Sequence, residues 1–82
     1  MPRFEILMFA AARDLVGSDE LYVEATEPIT AGELLRRIGE TAPGLLPMLP
    51  ACRLAVDQSF VPDDFCLRPG VELALIPPVS GG

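Results

Sequence analysis

The chain has 82 residues, 50% of them hydrophobic, and a net charge of −6, which fits one small domain near the size where a single core only just suffices. It has no His and no Lys, which excludes Ser-His and Cys-His catalysis, most transition-metal sites, side-chain Schiff bases and isopeptide links to a copy of itself. No basic cluster with interleaved aromatics is present, so nucleic acid is not an expected partner, whereas the acidic balance suits either a basic partner groove or solubility alone.

Residues 3–10 read as a strand, with Phe4, Ile6 and Met8 on one face and Arg3, Glu5, Leu7 and Phe9 on the other. This apolar run is short and holds Arg3 and Glu5, so neither a signal peptide nor a membrane span is expected, and the cytoplasm is the expected location. Residues 11–16 suit a short helical turn stopped by Gly17. Gly17-Ser18-Asp19 is turn chemistry leading into a second strand at 20–25.

A helix then starts with clear punctuation. Thr30 and Glu33 have capping-box spacing, with Ile29 and Leu34 placed as a hydrophobic staple. Ala31, Leu34, Leu35 and Ile38 make the apolar face, and Pro43-Gly44 ends the helix. Three prolines among leucines at 43–50 indicate an ordered, packed connection. Residues 52–57 read as a third strand with Leu54 and Val56 inward, turned at Gln58 and Ser59 towards a short edge element at Phe60-Val61. After a turn at 62–64, a short segment at 65–67 leads to the tight turn Arg68-Pro69-Gly70. Residues 71–76 are the last strand, with Val71, Leu73 and Leu75 towards the core. Cys52 and Cys66 lack metal-ligand or CxxC spacing and read as reduced, semi-buried thiols, a disulfide between them being the alternative.

The chain ends Pro77-Pro78-Val79-Ser80-Gly81-Gly82. Without Cβ atoms, Gly81 and Gly82 can pass through a channel too narrow for other residues, and the two prolines stiffen the root of the arm. The chemical group on offer is the Gly82 carboxylate, inert until a partner activates it, as an acyl-adenylate would be. The expected organisation is a body at 1–76 and an extended tail at 77–82.

The order β-β-α-β-(short β)-β fits an α+β fold, the β-grasp or ubiquitin-like roll, in which a mixed sheet curls over one main helix with the first and last strands adjacent and central. If the outer faces of those strands align, Leu7 and Phe9 lie beside Ala74 and Ile76. An apolar stripe then leads to the Pro-Pro hinge, covered either by a loop of the chain or by a partner.

Two stretches carry a family resemblance. The segment Leu7-Met8-Phe9-Ala10-Ala11-Ala12-Arg13-Asp14-Leu15-Val16-Gly17 and the ending from Gly70 to Gly82 resemble the small subunits of molybdopterin synthases, and the likeness runs over essentially the whole chain. Sulfur carriers of the thiamine pathway share the fold and the Gly-Gly end. The resemblance implies that Gly82 carries sulfur as a thiocarboxylate, with no bound cofactor and no metal, and that Gly82 transiently holds AMP and then sulfur. It implies three partners: an ATP-dependent adenylyltransferase like ubiquitin-activating enzymes, a sulfurtransferase, and the large synthase subunit. The last would take the tail into its active site, in a heterotetramer of two small subunits flanking a large-subunit dimer. There the sulfur would attack a cyclic pyranopterin monophosphate to build the dithiolene. The implied docking surface falls on Phe9, Phe60 and Ile76, with Arg13 as a polar contact to a partner or to its own backbone, or else as a solvated side chain of the helical turn. Other readings of the same residues are a carrier for thiazole synthesis, a ubiquitin-like protein modifier, and an interaction domain with an inert tail.

Overall fold

A computed structural model of the chain describes residues 3–68 and 70–78. The first strand, β1 (Arg3–Met8), buries Phe4, Ile6 and Met8 and turns the alternate residues outward. It stops two residues earlier than its apolar pattern suggests. Ala10 takes a left-handed backbone, φ 49°, and the chain enters the short helix α1 (Ala10–Val16), which Gly17 ends at φ 79°. β2 (Glu20–Glu24) then returns antiparallel to β1, with Phe4 opposite Val23.

The main helix α2 (Ala31–Thr41) follows a two-residue strand, β3 (Ile29–Thr30), that the sequence did not announce. Thr30 caps it as expected: its Oγ1 accepts the Glu33 N–H at 3.2 Å. Glu33 does not close the capping box, because its carboxylate turns to the Arg36 guanidinium one turn on. The remaining first-turn N–H groups are met by backbone: those of Ala31 and Gly32 donate to the carbonyls of Phe65 and Asp63. Removing the cap with Thr30→Ala is expected to cost about 1 kcal/mol, read as a lower denaturant midpoint at unchanged slope.

Pro43–Leu45 and Leu49–Ala51 form single 3-10 turns. The connection packs as expected, with Leu45 fully buried and Leu46 and Leu49 close over Gly39 of α2. β4 (Arg53–Val56) and β5 (Ser59–Phe60) form a hairpin, and β6 (Cys66–Leu67) pairs with β3 in a separate two-stranded ladder. The hairpin turns on Asp57 and Gln58, one residue earlier than expected. Both are left-handed, φ 49° and 71°, because only such a turn twists with its flanking strands. β7 (Leu73–Ile76) is shorter than the expected 71–76, since Val71 and Glu72 precede the ladder. Cys52 is buried, but Cys66 is exposed and not semi-buried; both are free thiols.

Among the described residues, five strands make one mixed sheet in the order β2-β1-β7-β4-β5. The first and last strands are adjacent and parallel, with β7 antiparallel to β4. α2 lies across one face, where Leu34 and Ile38 join Ile6, Met8, Leu54, Leu73 and Leu75 in a continuous core. Each such side chain contributes about 1.5–3 kcal/mol of burial free energy. This is the β-grasp roll. It leaves the other face of the sheet without a covering helix.

Candidate functional site

The uncovered face is organised by strand register. Leu7 stands opposite Ala74, Ala74 opposite Ala55, and Ala55 opposite Phe60, so one row of apolar side chains crosses four strands. These are the residues that the two-residue strand period sends away from the core. The next position on β7 is Ile76, and Phe9 stands at the corner where β1 gives way to α1. Together they line a concavity of about 380 Å³, completed by the polar side chains of Gln58 and Glu72. No loop of the described chain covers it: Phe9 remains 45% and Phe60 52% exposed. Contiguous exposed apolar surface of this kind marks an interaction site more often than a lone exposed side chain does.

Two local devices fix the shape of the patch. At one end, the Met8 N–H donates to the Asp19 carbonyl at 2.7 Å, which ends β1 and sets the corner bearing Phe9. At the other, Asp57 clamps the start of β7: its N–H donates to the Glu72 carbonyl at 2.8 Å, and its Oδ1 accepts the Glu72 N–H at 3.0 Å. Asp is suited to the left-handed backbone that the hairpin needs there. Asp57→Ala is expected to lower stability by about 1–2 kcal/mol, through a lost hydrogen bond and left-handed strain. Asp57→Asn, which keeps an acceptor and tolerates the same backbone, should unfold close to the parent in urea.

Beside the patch the same face turns polar. The Tyr22 hydroxyl donates to Glu5 at 2.8 Å and to Glu20 at 3.3 Å, and the Arg3 guanidinium lies 4.6 Å from the Tyr22 ring centroid. The bond to Glu5 raises the Tyr22 phenol. Glu20 is raised by its hydrogen bond with Glu5 and that neighbour's charge, while Glu5 is lowered by the same bond and by Tyr22. This cluster satisfies itself.

The structure brings Leu7, Phe9, Phe60, Ala74 and Ile76 together as expected. Arg13 stands apart on α1, its guanidinium 3.8 Å from the Asp19 carboxylate and half exposed. Pro77 is buried and Pro78 exposed, so the first solvent-facing residue after β7 is Pro78. Val79, Ser80, Gly81 and Gly82 lie outside the described residues. Sequence reading missed Ala55, Gln58, Glu72 and Arg53. Ala55 is 7% exposed and forms the floor of the patch, and the Arg53 guanidinium lies 4.3 Å from the Phe60 ring centroid. With the hairpin turn correctly placed, cross-strand pairing would have found Ala55 directly and Arg53 as the diagonal neighbour of Phe60.

Chemically, the patch is an apolar surface suited to binding, flanked by the Glu72 carboxylate and the Gln58 amide. Among the described residues no group of three His, Cys, Asp or Glu side chains is placed to hold a metal ion, and no helix is long and apolar enough to cross a membrane.

Comparison with known proteins adds to this geometry. The model of the ThiS family matches residues 6–82. The chain is 39% identical over 84 residues to a Caenorhabditis briggsae protein named molybdopterin synthase sulfur carrier subunit, covering all of both chains. Among solved structures, SAMP1 from Haloferax volcanii superposes with a TM-score of 0.84 at 25% identity, over 98% of this chain and 99% of that one. A chain in the complex of subunits 1 and 2 of molybdopterin-converting factor from Helicobacter pylori superposes with a TM-score of 0.67, also at 25% identity, over 98% of this chain and 99% of that one.

Proposed function

The chain belongs to the ThiS family, and on that premise we propose that it is the sulfur-carrier small subunit of a molybdopterin synthase. The observation that carries this reading is the apolar patch ending at Ile76, the residue from which the sequence runs through Pro77 and Pro78 to its two glycines. A surface that docks and an arm that reaches are thereby joined at one point. The relative in C. briggsae bears the name of this subunit, and the H. pylori likeness is to a chain held in a complex of two subunits.

In this reading an adenylyltransferase like ubiquitin-activating enzymes joins the Gly82 carboxylate to AMP from ATP, with release of pyrophosphate. Adenylation turns an inert carboxylate into an acyl group with a good leaving group. A sulfurtransferase system then supplies sulfur at the oxidation level of sulfide, which attacks the acyl carbon, breaks its bond to the AMP phosphate oxygen, releases AMP and leaves a thiocarboxylate, a softer and better nucleophile. The apolar patch then docks on the large subunit, and the tail delivers its sulfur to a cyclic pyranopterin monophosphate; two rounds complete the dithiolene. The large subunit supplies the acids and bases, because this chain has no His or Lys to offer.

The test loads the full chain to the thiocarboxylate and checks it on the cleaved tail peptide, since methionine oxidation adds nearly the same mass. The loaded chain is then mixed with the large subunit and the cyclic pterin. Dithiolene product with Gly82 returned to carboxylate is the expected result. Turnover only with a thiazole synthase would move the chain to thiamine synthesis. The likeness to SAMP1, whose expanded name is small archaeal modifier protein 1, favours one second reading, attachment of Gly82 to other proteins. High-mass conjugates on a denaturing gel, without sulfur transfer, would support that reading instead.

A further inference from the structure

One charge stands where any partner covering the patch must answer it. Arg53 leaves β4 on the outer face, opposite Ile76 in the ladder and two residues before Ala55, which faces Phe60. Its guanidinium stacks on the Phe60 ring at 4.3 Å. Arg13, Arg36 and Arg37 each have a carboxylate of the chain beside them. Among the described residues Arg53 makes no ion pair and no side-chain hydrogen bond. The ring holds the guanidinium in place by cation–π attraction, yet offers no acceptor to its five N–H donors.

In the free chain water meets those donors. When a partner covers Phe9, Phe60 and Ile76, that water leaves, and a desolvated guanidinium without an acceptor would cancel much of the apolar gain. A carboxylate on the partner resolves this, because it accepts the guanidinium fork with two parallel hydrogen bonds. We propose that Arg53 is a specificity-determining contact: the partner surface that fits this patch has an apolar centre and an Asp or Glu that takes the Arg53 fork beside Phe60. The pair also orients the partner, because Arg53 marks the end of the patch nearest the root of the tail. The inference rests on the patch being the docking face for the large subunit.

Its test measures binding of the full chain to the large subunit for the parent, Arg53→Lys, Arg53→Gln and Arg53→Glu, with Arg36→Gln on the far side as control. Arg53→Gln is expected to weaken binding about tenfold and Arg53→Glu about a hundredfold. Arg53→Lys should fall between the parent and Arg53→Gln, and Arg36→Gln should match the parent. Changing each Asp and Glu of the partner's docking face to Lys in turn should reveal one position that restores binding to Arg53→Glu. Thermal unfolding of each variant verifies that it folds. Parent-like binding by Arg53→Glu, or no restoring position, overturns the inference while leaving the docking reading intact. Failure of the parent chain to bind the large subunit overturns both.

Discussion

The Gly81→Phe variant is expected to unfold at the parent's temperature and to transfer no measurable sulfur. Among the described residues the hydrophobic core runs from Phe4 to Leu75, and a change at 81 is expected to leave it intact. The tail's work is different. In the proposed function its end must enter the adenylating site and later the synthase site, and a benzyl group beside the reacting carboxylate would block a channel shaped for glycine. Adding one residue beyond Gly82 should be as damaging, because it carries the carboxylate about 3.5 Å along the chain. Loading and product formation, assayed separately, tell which of the two partners rejects the side chain. Normal turnover by Gly81→Phe would mean that neither site is narrow, and the tail reading would fall.

The second large effect is expected from Phe9→Asp, which should weaken docking to the large subunit about a hundredfold, as loss of an aromatic anchor and burial of a lone charge together imply. Phe9 is 45% exposed, is not among the buried core residues and stands at the N-cap of α1, a position that Asp suits, so the variant should unfold no more easily than the parent. Phe9→Leu keeps an apolar contact and should cost far less affinity. Ile76 is a poorer site for the same experiment: it faces Arg53 across the ladder, and an Asp there would find a cation waiting. Unchanged affinity in Phe9→Asp would place the docking surface elsewhere.

The parts legible in the sequence were those with enough length to show a period or a punctuation mark. β1 and α2 display theirs over six and eleven residues, and the alignment of Leu7 with Ala74 followed from placing the first and last strands side by side. Two-residue strands have no period, so the β3–β6 ladder was invisible although it anchors the start of α2. The hairpin turn was misplaced because Asp57-Gln58 reaches left-handed backbone without the glycine that usually signals it. That error set Phe60 beside the end of β4 and not opposite Ala55, so Ala55 and Arg53 were not read as its neighbours although Leu54 and Val56 were already placed inward. The polar cluster at Tyr22 was hidden for another reason: Glu5 and Tyr22 face each other only once the antiparallel register of β1 and β2 is known.

The position of β7 has a mechanical consequence. The tail leaves from a strand with parallel β1 on one side and antiparallel β4 on the other. A pull on the arm acts along the strand axis, across the hydrogen bonds to both neighbours, so the two ladders are loaded in shear and their bonds share the force. Had the arm left from an edge strand such as β5, the same tension could peel one ladder a bond at a time. In the proposed function, a partner that draws the arm taut therefore pulls on the centre of the sheet, which serves as the anchor.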